Sequence, residues 1–240
     1  MPKLKQPPAF NVPGVVLTTI VVFAAIHVLR VLLLTPAADD SVIIEFSFIP
    51  GCYAAGVTDC AIRPSGASIW SPVTYAFLHG SWMHLITNTV WLLAFGPPVA
   101  RRIGDARFLL FCICGAIAGA AAFWAVNPDL LAPVIGASGI VSALMGGACR
   151  FAFSSVGRAR RGGMITGPLM GIGEALRDRT VLFFILVFFG SNLITGTSFG
   201  EFVADGADVA WESHLGGFAF GFLLFRLFDR RFPSGTYAQS

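Results

Sequence analysis

Residues Phe108 to Val126 run without a single charged side chain, and that run restricts the fold more than any other feature. The hydrocarbon core of a bilayer is ~30 Å thick, and about 20 helical residues cross it. Several other stretches are comparably apolar. Composition agrees: 55% of the 240 residues are hydrophobic and only 12% are charged, with a mean hydropathy of +0.76, where a soluble domain would be about a quarter charged. The chain therefore reads as an integral membrane protein. Its net charge of +3 does not point to nucleic acid, because the charges fall in short loops.

Six spans are expected, at about residues 13–34, 72–95, 108–126, 137–153, 180–197 and 209–228, with a polar-to-mixed loop over 35–69. The first is expected to be retained, since Val12–Leu34 exceeds the 7–15-residue apolar region of a signal peptide. The second is expected to close at Gly96-Pro97-Pro98, because proline breaks helices. His27 and Arg30, near the end of the first span, are expected to snorkel to the interface. Basic residues set the orientation. With the N-terminus inside, 14 of the 16 Lys and Arg are cytoplasmic, all but Arg30 and Arg63. Most acids fall on the other side, including Asp39, Asp40, Glu45, Asp59, Asp129, Glu201, Asp205, Asp208 and Glu212. Both termini are thus expected in the cytoplasm, around a single domain over residues 1–240.

That topology places the chemically capable residues at one depth. Spans 2, 4 and 6 all begin at the outer face, and His79, His84, Ser138 and His214 lie near their starts. Ionisable groups inside a membrane cost free energy and usually mark function. Ser138, in Gly136-Ala137-Ser138-Gly139, can be a helix N-cap, a close-packing residue or a nucleophile. A serine hydroxyl needs a base, and His214 is the candidate. Gly217 and Gly221 form a GxxxG behind it, and Ser138, Ser142 and Gly146 form a small stripe on span 4, so the two helices can approach closely. His84 and Asn88 are four apart and share a helix face, offering two donors to an oxyanion, with the first N–H groups of span 4 beside them. His79, five before His84, would point about 140° away on a continuous helix. That spacing argues against a zinc pair of the HExxH type. No metal or organic cofactor is expected.

The set Trp70, His79-x4-His84-x3-Asn88, Gly136-Ala137-Ser138-Gly139 and His214-x2-Gly217-x3-Gly221 resembles the rhomboid family of intramembrane serine proteases across all six spans. The resemblance implies a six-helix rhomboid-like bundle. In it Ser138 would be the nucleophile and His214 the base, with His84, Asn88 and the Ser138 N–H as oxyanion hole. His79, Gly136, Gly139, Ser142, Gly217 and Gly221 would support them. It also implies an interfacial loop over 35–69, and a gate and cap in span 5 and the Thr197–Asp208 loop. Two departures stand out: Ser71 follows Trp70 where members commonly have arginine, and Ser142 replaces an aromatic that stacks on the histidine. A hydrogen bond from Ser142 to the far nitrogen of His214 is one expectation.

The reading is an endopeptidase cleaving single-span membrane proteins in the outer half of the bilayer, in a bacterial plasma membrane. A catalytically silent relative that escorts membrane clients is the alternative; a small channel or transporter would use the same polar groups as a pore lining. Cys52 and Cys60 face an oxidising compartment in this topology, and a disulfide or two free thiols are equally open. Cys112, Cys114 and Cys149 are expected to pack as small hydrophobes.

Overall fold

The structure is a computed structural model that describes residues 12–54, 58–153, 168–195 and 210–229. The basic loop carrying Arg158, Arg160 and Arg161, the loop Thr197–Asp208, and Lys3, Lys5, Arg230 and Arg231 lie outside these residues. The described part is helical: α1 Gly14–Leu33, α2 Pro36–Phe46, α3 Ala67–Thr74, α4 Trp82–Ile103, α5 Asp105–Val126, α6 Ser138–Cys149, α7 Ile172–Ala175, α8 Arg179–Thr195 and α9 Trp211–Leu224. Among the described residues the one β feature is an isolated antiparallel bridge between Phe48 and Val134. Helices α1 and α5 are long and apolar enough to cross a membrane.

Helix α6 forms the centre. It is buried along almost its whole length and packs most closely against α9, with α5 and α4 completing its surround. The tip of Tyr75 joins these helices: its hydroxyl donates to the Ala116 carbonyl at 2.9 Å, and a Cβ at Gly139 would lie 2.9 Å from it. At the far end of α6, Arg150 donates to the carbonyls of Met170 and Phe222. Nearby Arg102 and Asp229 form a buried ion pair at 2.6 Å. Cys112 and Cys149 are buried and Cys114 is half-buried.

The second span differs from its expected form at both ends. Ser81 caps α4, its hydroxyl accepting from the His84 N–H at 3.1 Å, so the helix starts ten residues after Pro72 and His79 falls in the preceding break. At the other end α4 runs through Pro97 and Pro98 to Ile103. Proline inside a helix removes a hydrogen bond, at a cost of about 3 kcal/mol, but burial offsets it here. Phe95 to Ala100 are all buried, and Gly96 lets α1 in so closely that a Cβ would lie 3.2 Å from Val16. Gly104, at φ +81°, then ends the helix.

His27 and Arg30 do not snorkel. His27 is 1% exposed and packs edge-on to Trp82 at 4.6 Å. Arg30 makes a two-pronged pair with Asp39, at 2.7 and 3.1 Å, and donates to the His79 carbonyl at 3.1 Å. A bidentate carboxylate close by holds the guanidinium better than a longer reach to the interface.

The described residues of the 35–69 segment, 35–54 and 58–69, are folded. Thr35 caps α2 and Pro36 opens it, the arrangement that threonine–proline favours at a helix start. Arg63 donates to the Ile44 and Ser47 carbonyls at 2.9 and 2.8 Å, and the Trp70 indole to the Glu45 carbonyl at 3.3 Å. Ser71, where the resemblance leads one to expect arginine, is fully buried and bonds the Tyr53 hydroxyl at 3.0 Å. Burial raises the Tyr53 phenol above its usual range. The segment is thus anchored by Arg63 and by the Tyr53–Ser71 pair.

Cys52 and Cys60 form a disulfide across a separation of eight residues. Closing a loop of that size stabilises by about 2.5 kcal/mol in the chain-entropy account. Non-reducing mass spectrometry should find neither thiol alkylatable, and the Cys52→Ser, Cys60→Ser double variant should melt several degrees lower. Free thiols at both positions would contradict this.

Candidate active site

The serine motif occupies the turn that enters α6. Gly136, at φ +125°, takes a conformation L side chains rarely adopt, and its N–H is tied to the Tyr75 carbonyl at 3.0 Å. Ala137 is the N-cap and Ser138 the first helical residue, which removes the capping explanation for this serine. The first intrahelical bond runs from the Val141 N–H to the Ala137 carbonyl at 2.9 Å. The N–H groups of Ser138, Gly139 and Ile140 therefore precede the helical ladder, at its positive end.

His84 faces this turn. A Cβ at Gly136 would lie 2.6 Å from His84 Nε2, so only glycine leaves room for the imidazole. The His84 ring also meets the His79 ring edge-on at 5.2 Å; the expectation that the two point apart fails because His79 is not on α4. Asn88, one turn along, is buried, and its Nδ2 donates back to the His84 carbonyl at 3.1 Å.

His214 reaches the same end of the bundle through the α6–α9 seam. A Cβ at Gly217 would collide with the Gly139 peptide, and one at Gly221 with the Ala143 carbonyl. Both contacts share one sequence offset, so α6 and α9 run parallel, and that offset puts His214 level with Gly136. Ser138 lies two residues further on, about 3 Å along the axis. The seam runs along Gly139, Ala143 and Gly146, one face over from the expected stripe of Ser138, Ser142 and Gly146. Ser138 stands beside the contact, half-buried. Asn127 at the end of α5 donates to Glu212 at 3.0 Å, tying down the first turn of α9.

The nitrogen of His214 expected to meet Ser142 has another partner. Nδ1 lies 2.6 Å from Oδ1 of Asn192 on α8. Ser142 is buried on α6. Asn192 was not among the residues expected here, although a lone carboxamide in a phenylalanine-rich apolar helix is the kind of residue that marks a site.

A helical bundle with membrane-length apolar helices and polar groups gathered at one end defines a class of integral membrane protein. The chain belongs to the rhomboid family: residues 66–231 match the Rhomboid domain. It is similar to human rhomboid-related protein 3, with 38% identity over 79 residues, 33% of this chain and 19% of that protein. It is also similar to rhomboid protease GlpG of Yersinia pestis (strain Pestoides F), with 35% identity over 78 residues, 32% of this chain and 27% of that one. GlpG of Yersinia pseudotuberculosis serotype O:3 (strain YPIII) matches to the same extent. Each match thus spans less than a third of the relative's own length.

Proposed function

We propose that the chain is an intramembrane serine endopeptidase in which Ser138 is the nucleophile and His214 the general base. The observation that carries this is the parallel seam of α6 and α9, in which Gly217 lies on the Gly139 peptide and so sets His214 level with the serine turn. In the reaction, Ser138 Oγ attacks the scissile carbonyl carbon as its proton passes to His214 Nε2. The tetrahedral oxyanion is held by the N–H groups of the first turn of α6, with His84 and Asn88 as side-chain donors. His214 returns the proton to the leaving amine as the C–N bond breaks, and water then releases the acyl group from Ser138 by the same route. Gly136 makes room for His84, and His79 backs it at 5.2 Å.

The wider reading rests on the basic residues: a single domain of six spans, both termini cytoplasmic, and the site in the outer half of a bacterial plasma membrane. The substrates are single-span membrane proteins. Helices α6 and α9, at 12 and 14 residues, are shorter than the about 20 residues of a full crossing, which is in keeping with a site recessed from the surface.

A fluorophosphonate probe tests the proposal. It should label the protein reconstituted in vesicles, and Ser138→Ala should abolish both labelling and cleavage of a single-span reporter. Labelling that survives Ser138→Ala would overturn it. A protein that is folded, unlabelled and inactive would favour the silent, client-binding alternative.

A further inference from the structure

Helix α8 is apolar along most of its length, and Asn192 is 6% exposed within it. Its two ends have separate partners. Nδ2 donates to the Phe188 carbonyl one turn earlier at 2.8 Å, and Oδ1 faces His214 Nδ1 at 2.6 Å. The first bond settles which way the amide points, since a carbonyl oxygen can only accept and needs the NH2 group. The oxygen then faces the imidazole and also only accepts, so His214 Nδ1 must carry a proton. In the neutral ring that leaves Nε2 with a free lone pair, on the far side from Asn192.

The same register appears one turn deeper. Phe188 stacks on Phe218 with ring centroids 4.6 Å apart. The pairs 192–214 and 188–218 are each displaced by four in opposite directions, as two antiparallel helices require. The polar contact is therefore backed by an aromatic one that fixes α8 against α9.

We infer that Asn192 is a positioning residue for the base: it holds His214 as the Nδ1–H tautomer and turns Nε2 toward Ser138. The inference rests on the assignment of His214 as base. Asparagine suits the place better than aspartate, because it accepts the same hydrogen bond without setting a charge in an apolar helix. Glu212, the acid nearest His214 on its own helix, is engaged by Asn127.

Two measurements on the full chain in detergent or bilayers test this. In the first, 15N-histidine NMR at a pH where the ring is neutral reads the His214 tautomer, assigned by its loss in His214→Ala. Wild type should show a protonated Nδ1 and an unprotonated Nε2. Asn192→Leu, an isosteric change in an apolar helix, should lose that preference, and Asn192→Asp should keep it. In the second, Asn192→Leu should lower kcat for a transmembrane reporter about 10- to 100-fold, with KM within about twofold, since a misoriented base loses part of the 10²–10⁴-fold worth of general base catalysis. Asn192→Asp should recover most of the rate. A wild-type ring protonated on Nε2, or an Asn192→Leu protein with unchanged tautomer and kcat, overturns the proposal. If Asn192→Leu does not fold, the wild-type spectrum alone decides. If wild type neither cleaves nor binds the fluorophosphonate probe, the protease reading fails, and the spectrum still judges the tautomer.

Discussion

His214→Ala should lower cleavage by about four orders of magnitude or more while the protein stays folded, and Ser138→Ala should do the same. Groups that act as a unit in acyl transfer lose nearly everything when either is removed, and the remainder comes from binding and the oxyanion donors. The contrast with the donors makes the test specific. On the proposed assignment, His84→Ala and Asn88→Ala each remove one of several oxyanion donors and should cost about 10²-fold or less. Asn88 should cost less than His84, because its Nδ2 is already committed to the His84 carbonyl, whereas His84 Nε2 faces the glycine turn directly. Cleavage of a fluorogenic single-span substrate, with thermal unfolding in detergent as control, reads all four. A His214→Ala protein within tenfold of wild type would sink the assignment.

The parts of this molecule legible in the sequence are those where one physical effect outweighs the rest. An uninterrupted apolar run decides a helix by itself, and α1 and α5 lie close to where the hydropathy puts them. The GxxxG of Gly217 and Gly221 pointed to a close helix contact, and their backbones do meet α6. The sequence misleads where two effects compete. Prolines 97 and 98 argue for a helix end, but packing of α1 on Gly96 outweighs the lost hydrogen bonds. The break before α4 was written in Gly80-Ser81, a turn followed by a cap, but hydrophobicity on either side hid it. The start of α2 was likewise written in Thr35-Pro36. Arg30 and Asp39 are nine apart across a helix end, so no periodicity links them. The Asn192–His214 contact joins residues 22 apart on antiparallel helices, and only the register set by Phe188 on Phe218 reveals it.

Gly221→Ala should cost more activity than stability, and Gly221→Val should cost both. A Cβ at position 221 would run into the Ala143 carbonyl, with its carbon 2.7 Å and the Ala143 Cα 3.0 Å away. That obstacle is helix backbone on both sides, so no side chain can rotate out of the way. The helices must separate by something on the order of 1 Å, which loses contacts along the whole seam; overpacking of this kind typically costs about 1–3 kcal/mol. His214 rides on the same helix, two turns toward the site, and moves with it. A misplacement of about 1 Å at a reacting group can cost roughly 10²-fold in rate, so cleavage by Gly221→Ala should fall about 10²-fold with only a modest drop in Tm. Valine adds two methyls at the same point and should leave little folded protein. Gly190 is the control: it lies in α8, and a Cβ there meets nothing within 4 Å. Gly190→Ala should leave the rate unchanged and raise stability by up to about 1 kcal/mol through helix propensity. If Gly221→Ala matched Gly190→Ala in both rate and Tm, the seam would not be what holds His214 level with the serine turn.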